Sequence, residues 1–378
     1  MIPRTLFAEE HQLFRESARK FFEIEVIPFH HEWEKQGMVS RELWLKAGKQ
    51  GFLCCTMPEE YGGSGVDFTV SVILMEEQAR SCCSGPGFAL HTDIVAPYIL
   101  HYGSEEQKKK YLPKMAAGEI ITAIAMSEPA AGSDLQGIKT TAIKKGDHYI
   151  LNGSKTFITN GWHSDLVIVV AKTDPSQGAG GISLLLVEAG MAGFTKGKRL
   201  EKIGLKAQDT CELFFDNVQI PESNLLGQEG AGFMYLMNEL PQERLLIAVV
   251  AAATLETCFA ETLRYTKERI AFGKPIFNFQ NTRFKLAEMQ AEIVMARSFT
   301  DKCIELHLKG QLDVATAAMA KLTLSELQCK IVDECLQLFG GYGYIWDFPI
   351  ARAFADSRVQ KIYGGTNEIM KELISRFL

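Results

Sequence analysis

At 378 residues the chain is well beyond one typical domain of about 150 residues, and 47% apolar with 23% charged residues is a globular composition, which excludes a stapled mini-domain, a disordered chain and a collagen. Forty basic against 46 acidic residues leave a formal charge of −6, so neither a nucleic-acid backbone nor an anionic membrane is expected as the main partner. Nine cysteines without a C-x-x-C pair read as reduced, mostly buried thiols rather than a zinc site or a disulfide framework.

The first 124 residues read as an N-terminal α-helical domain. Phe14, Ala18, Phe21 and Phe22 share one helical stripe, and Val70 to Ala79 form a second amphipathic run. Pro58 to Gly65 and Gly85-Pro86-Gly87 are turn clusters between helices. No basic region followed by an apolar stretch opens the chain, and the apolar run Leu245 to Leu255 is too short to span a bilayer. The expectation is a soluble protein without membrane insertion, cytoplasmic, or of the mitochondrial matrix if a transit peptide has been removed.

From 125 to 232 the period changes to that of strands, and an antiparallel β domain is expected. His148 to Leu151 leads into Asn152-Gly153, a type I′ hairpin signal, followed by Lys155 to Thr159. Leu166 to Ala171, Ile182 to Val187 and Leu213 to Phe215 add short apolar strands. The remainder, 233–378, reads as a helical bundle whose helices resume at about Pro241. Leu286, Met289, Ile293, Ala296 and Thr300 step by three or four, as do Leu324, Leu327, Ile331, Cys335 and Leu338 before Gly340 stops the helix.

Taken singly, the notable segments have plain structural readings. Met126-Ser-Glu-Pro-Ala-Ala-Gly-Ser-Asp134 has the composition of a turn, with Glu128 as a turn residue beside Pro129. Gly153 to Gly161 is a half-buried hairpin strand with Phe157 and Thr159 on one face, able to hold a flat polar ring. Arg269-Ile-Ala-Phe-Gly-Lys274 closes a helix with basic residues suited to its dipole. Gln337-Leu-Phe-Gly-Gly-Tyr-Gly343 puts glycines after a helix end and is neither a P-loop nor a G-x-G-x-x-G turn. The eight histidines show no metal-ligand spacing, so no metal is assigned.

In order, however, these segments and Tyr363-Gly-Gly-Thr-Asn-Glu368 resemble the acyl-CoA dehydrogenase family over essentially the whole chain. The resemblance implies an α+β multidomain fold: an N-terminal helical domain, a central antiparallel β-barrel and a C-terminal four-helix bundle. It implies an FAD enzyme, a homotetramer built as a dimer of dimers, that passes electrons to electron-transferring flavoprotein. Met126, Ser127, Phe157 and Thr159 match positions around the flavin ring, Phe157 standing where many members carry Trp. Arg269, Phe272, Gln280, Gln337, Gly340, Gly341, Thr366 and Glu368 match positions that hold the pyrophosphate and adenosine, several of them across a subunit boundary.

The family's reaction takes a proton from the α-carbon of an acyl-CoA thioester while the β-carbon gives a hydride to flavin N5. Many members place the base directly after the Tyr of the C-terminal motif, where this sequence has Gly364. A glycine removes no proton. The long-chain and isovaleryl types supply the carboxylate from the helix that opens the C-terminal domain, and Leu240-Pro-Gln-Glu-Arg-Leu-Leu-Ile-Ala248 matches that arrangement, most closely in the long-chain type. Glu243 is thereby implied as the base. Its plain alternative is an acid in the first helical turn behind Pro241, in which case the dipole lowers its pKa while burial raises it. The backbone N–H of Gly364 matches the donor that, with a ribityl hydroxyl, holds the thioester oxygen. Ser133, Arg244 and Tyr363 match substrate-side positions, Arg244 near the CoA.

The expected activity is oxidation of a saturated, long-chain acyl-CoA to the trans-2-enoyl product in fatty-acid β-oxidation. Branched or isoprenoid acyl groups are an alternative, because glycine at 364 frees volume. An oxygen-using acyl-CoA oxidase and a non-catalytic acyl-CoA binding protein are the other two.

Overall fold

The computed structural model describes residues 2–378. Six α-helices and two π-helical segments dominate the N-terminal part: α1 (Glu9–Phe21), a π-helical turn (Phe22–Val26), α2 (Ile27–Gln36), α3 (Arg41–Lys49), α4 (Phe68–Arg80), a second π-helical segment (Leu90–Val95) running into α5 (Ala96–Tyr102), and α6 (Glu105–Ala116). Their ends follow local chemistry. The Asp67 carboxylate accepts the Thr69 N–H at 2.9 Å to start α4, and Ser104 with Gln107 forms a capping box on α6.

Eight strands follow: β1 (Thr122–Ala125), β2 (Thr141–Lys145), β3 (His148–Thr159), β4 (Leu166–Lys172), β5 (Ile182–Glu188), β6 (Phe194–Arg199), β7 (Thr210–Pro221) and β8 (Leu225–Leu226). They form one sheet in the order β6-β7-β3-β2-β4-β5-β8, with β1 also on β4. The pairing is mostly antiparallel, but β1 and β2 both meet β4 in parallel. Alternate residues, among them Ala142, Tyr149, Leu151, Val167, Val169, Leu185, Leu213 and Val218, turn into one interior cluster, the arrangement of a barrel. The opposite face of β4 and β5 (Leu166, Ile168, Val170, Leu184, Leu186) packs on Val95, Tyr98, Ile99, Leu112 and Met115 of the helices. Both faces of these strands are covered, hence their unbroken apolar runs.

The Asn152-Gly153 pair does not make a turn. β2 and β3 join at Gly146-Asp147, and β3 runs straight through position 153 with a bulge. Gly153 is required there for another reason: at φ +150 its missing Cβ would lie 2.4 Å from Thr140 Oγ1.

The C-terminal part comprises α7 (Gly232–Glu268), a small ribbon of β9 (Ile270–Ala271) and β10 (Lys274–Pro275), α8 (Gln280–Leu308), α9 (Val314–Phe339), α10 (Pro349–Ser357) and α11 (Asn367–Ser375). α7, α8, α9 and α10 share a core that includes Leu245, Val249, Leu286, Met289, Leu324, Ile331 and Ile350. By length and composition α7 alone among the described residues is apolar enough to cross a membrane, yet 67% of its most apolar window is buried in this core. Two expectations change here. α7 begins at Gly232, nine residues before Pro241, so Pro241 lies inside the helix. Arg269 caps the end of α7, as expected, but Lys274 lies beyond the Phe272-Gly273 turn of the ribbon and not in the helix; both turn residues have positive φ, +50 and +76.

Candidate active site

Glu243 sits eleven residues after the first residue of α7, too far for the helix dipole to act on it, and only 7% of it is exposed. The first-turn alternative therefore falls away. Burial drives its carboxyl up to about 7, against the Tyr98 hydrogen bond and the Arg244 charge, while Glu239 one turn earlier adds to the rise. The Tyr98 O–H, wholly buried on α5, donates to Glu243 Oε1 at 2.9 Å. Glu239 in turn accepts from the Tyr102 O–H and meets His101 Nδ1, both at 2.8 Å. Glu239 and Glu243 stand one above the other because i and i+4 share a helix face.

Gly364 lies over that same face. Its φ is +65, and a Cβ there would come within 2.6 Å of Ile247 Cδ1, four residues after Glu243. A side chain at 364 would have to displace this flexible Ile247 methyl, the one atom that approaches its Cβ direction. Arg244 is buried and donates through Nε to the Gly364 carbonyl at 3.4 Å. Its contact here is the loop rather than an open surface. Lys321 of α9, wholly buried, donates to the Gly365 carbonyl and to Asn367 Oδ1, each at 2.8 Å, and burial, with Arg244 nearby, lowers its ammonium to about 8. Two buried cations thus grip the carbonyls of Gly364 and Gly365, whereas no protein acceptor among the described residues takes the Gly364 N–H. Tyr363 is partly exposed at the edge of this loop and donates to Gln360 Oε1 at 2.8 Å.

A second group forms where β1 meets β3. Met126 and Ser127 are half-buried, and the Ser127 carbonyl accepts the Thr156 N–H at 3.0 Å. Phe157 occupies a β-bulge at φ +62, between the pairs Lys155↔Leu213 and Ile158↔Cys211, and remains 69% exposed. The bulge interrupts the alternation at Lys155 and Thr156, both buried, while Phe157 and Thr159 lie on the less buried side of Ile158 with the phenyl ring turned outward. Behind it lies a buried pair absent from the sequence reading. Lys155 Nζ meets Glu128 Oε1 and the Met126 carbonyl, both at 2.9 Å. Glu128, expected to be a turn residue, also accepts the N–H groups of Lys139 and Thr140. These bonds hold its carboxyl below the ordinary range although burial opposes them, and burial brings Lys155 down to about 8. Ser133 is exposed in the following loop.

A third group lines a cavity of about 550 Å³ that includes Arg269, Gln337, Gly340, Gly341 and Tyr342. Gly340 follows the last residue of α9 at φ +59, and beside both glycines the Cβ direction is open space. Phe272, 94% exposed at the ribbon tip, and Gln280, exposed at the first turn of α8, lie outside this cavity. So do Thr366, which caps α11, and Glu368 in its first turn, exposed and held below the ordinary carboxyl range by its own backbone amide and Thr366. A glycine-lined, Arg-flanked hollow beside uncovered aromatic rings suits a long ligand that is anionic along its middle and flat at one end. FAD fits that description.

Of the side chains that shape the site, Tyr98, Lys155 and Lys321 escaped the sequence reading. Only Lys321 left a trace, as a lone charge directly after the alanine-rich run Ala315 to Ala320.

Comparison with known proteins agrees along the chain. Family models described as acyl-CoA dehydrogenase N-terminal, middle and C-terminal domains match residues 8–119, 123–218 and 230–378. The long-chain specific acyl-CoA dehydrogenase, mitochondrial, of Sus scrofa is 60% identical over 375 residues, 99% of this chain and 87% of that protein. The crystal structure of an acyl-CoA dehydrogenase from Geobacillus kaustophilus superposes with a TM-score of 0.98 at 51% identity, covering 99% of both chains. One from Bacillus anthracis, complexed with FAD, gives 0.92 at 32% identity over 98% of this chain and 67% of that one.

Proposed function

The chain belongs to the acyl-CoA dehydrogenase family, and from that premise we propose that it oxidises long-chain saturated acyl-CoA thioesters to trans-2-enoyl-CoA with Glu243 as the base. It is an FAD-dependent oxidoreductase of fatty-acid metabolism. The observation that carries the assignment of the base is the exchange of roles on one helix face. The loop position that lacks a carboxylate, Gly364, packs against Ile247, one turn from a buried Glu243 whose carboxyl lies near 7. A base poised there is about half ionised at neutral pH and basic enough to take a weakly acidic proton.

Each residue then has a task. Glu243 takes the α-proton. The free N–H of Gly364 holds the thioester oxygen on which negative charge grows, a donor worth about 3 kcal/mol in a dry site. Arg244 and Lys321 fix that N–H by gripping the adjoining carbonyls. Met126, Ser127, Phe157 and Thr159 hold the flavin ring, and Arg269, Phe272, Gln280, Gln337, Gly340, Gly341, Thr366 and Glu368 the pyrophosphate and adenosine, several of these eight across a subunit boundary of a homotetramer. That reading is supported by the scatter of the eight beyond one cavity and by the uncovered Phe272. The chemistry that FAD supplies when bound is acceptance of the β-hydride. Electron-transferring flavoprotein is the proposed acceptor, and the acyl-chain length follows the resemblance to the long-chain enzyme.

Anaerobic mixing of the FAD-loaded protein with saturated acyl-CoAs of graded length tests this. Glu243→Gln is expected to bleach the flavin at least about 10³-fold more slowly than the parent while still binding acyl-CoA. Bleaching at the parent rate removes Glu243 from the mechanism. Rapid reoxidation of the reduced parent by air, with peroxide formed, instead selects an oxidase.

A further inference from the structure

Resting on Glu243 as the base, we infer that Tyr98 is a positioning residue that aims the Glu243 carboxylate and moderates its basicity. The phenol is wholly buried, and its O–H donates to Oε1 at 2.9 Å. Among the described residues no other group hydrogen-bonds the Glu243 side chain. Holding one carboxylate oxygen fixes the terminal torsion, which is otherwise broad, and leaves Oε2 to receive the proton. The donor is itself rigidly placed. Pro97 precedes it in the first turn of α5, the π-helical segment Leu90–Val95 feeds directly into that turn, and Ile99 and Val95 share its core cluster.

The surroundings explain why a neutral donor suits this place. Glu239 and Arg244 face Glu243 from its own helix, with opposite effects on it. Glu239 is engaged by His101 and Tyr102 of α5 and lies in the field of His307 of α8; Arg244 is turned to the Gly364 carbonyl and has Lys321 of α9 as a neighbour. No cation from α5 touches the base. A lysine at 98 would bind the carboxylate as an ion pair and weaken it as a base; an apolar residue would leave a buried carboxylate with no partner and drive it toward the protonated form. The phenol lies between these limits. It also keeps its bond after proton transfer, since the protonated carboxyl still offers Oε1 as an acceptor.

The experiment is the pH profile of kcat/KM for the FAD-loaded enzyme, whose acid limb reports the free base. Tyr98→Phe is expected to move that limb upward by about one pH unit, the size of one hydrogen bond to a charged group. Tyr102→Phe removes an equally placed phenol from Glu239 and should move it by less than half as much. Site-specific 3-fluorotyrosine at 98, a stronger donor of nearly the same shape, should move the limb downward, and it serves if the phenylalanine variant does not fold. Two results overturn the inference: a limb that stays in place with both Tyr98 replacements, or one that Tyr102→Phe shifts equally. Neither touches the assignment of Glu243, which stands or falls with Glu243→Gln.

Discussion

Replacing Glu243 by Gln should stabilise the folded protein while abolishing its chemistry, and the pH dependence of that gain identifies its source. The carboxyl titrates near 7 when folded, against an ordinary value of 4.5. Because the folded value is the higher one, the penalty is absent below about 4.5, grows as pH rises, and is complete above about 7. A difference of about 2.5 units corresponds to about 3 kcal/mol at pH 8.5, of which under 1 kcal/mol is present at pH 5. Glutamine keeps the size of the side chain, offers its carbonyl to the Tyr98 O–H and carries no charge, so the variant escapes the penalty at both pH values. Denaturant unfolding of parent and variant at pH 5 and pH 8.5 measures it. The double difference cancels groups that titrate alike in both proteins, cofactor and subunit contributions included. The variant should gain about 2 to 3 kcal/mol more at pH 8.5 than at pH 5. An equal gain at both pH values would refute the view that burial raises this carboxyl.

Gly364→Ala should cost about 1 to 2 kcal/mol, since φ is +65 and the new methyl meets Ile247 Cδ1. Because the same change tilts the N–H that holds the thioester oxygen, kcat should fall about tenfold to a hundredfold with FAD content unchanged, as measured by steady-state kinetics and flavin absorbance. Lys155→Met strands Glu128 in the core and should destabilise by about 3 to 5 kcal/mol; the double variant with Glu128→Gln should recover most of that loss in the same unfolding assay.

The order of helices, sheet and helices was legible because hydrophobic period is a local property of the chain. Phe14 to Phe22 and Leu324 to Leu338 state their faces without reference to anything else. Glu243 was legible for a different reason: an acid missing at 364 and one present at 243 form a pattern when matched against a family. The turn expected at Asn152-Gly153 failed because Thr140, on a neighbouring segment, decides why position 153 is glycine. Pro241 misled in the same way. Proline ordinarily opens a helix, but the core of α7 carries the helix through it and outweighs the lost hydrogen bond.

What only the tertiary structure decided is who surrounds the base. Tyr98 meets Glu243 across 145 positions of sequence, and Lys321 reaches the Gly365 carbonyl across 44. Nothing in the residues near Tyr98 distinguishes it from an ordinary core aromatic. The sequence on its own determined the kinds of element and the kind of chemistry, since both rest on residue type and spacing. Folding determined the base's strength and aim, since desolvation and hydrogen bonding depend on groups that are distant until the chain closes on itself.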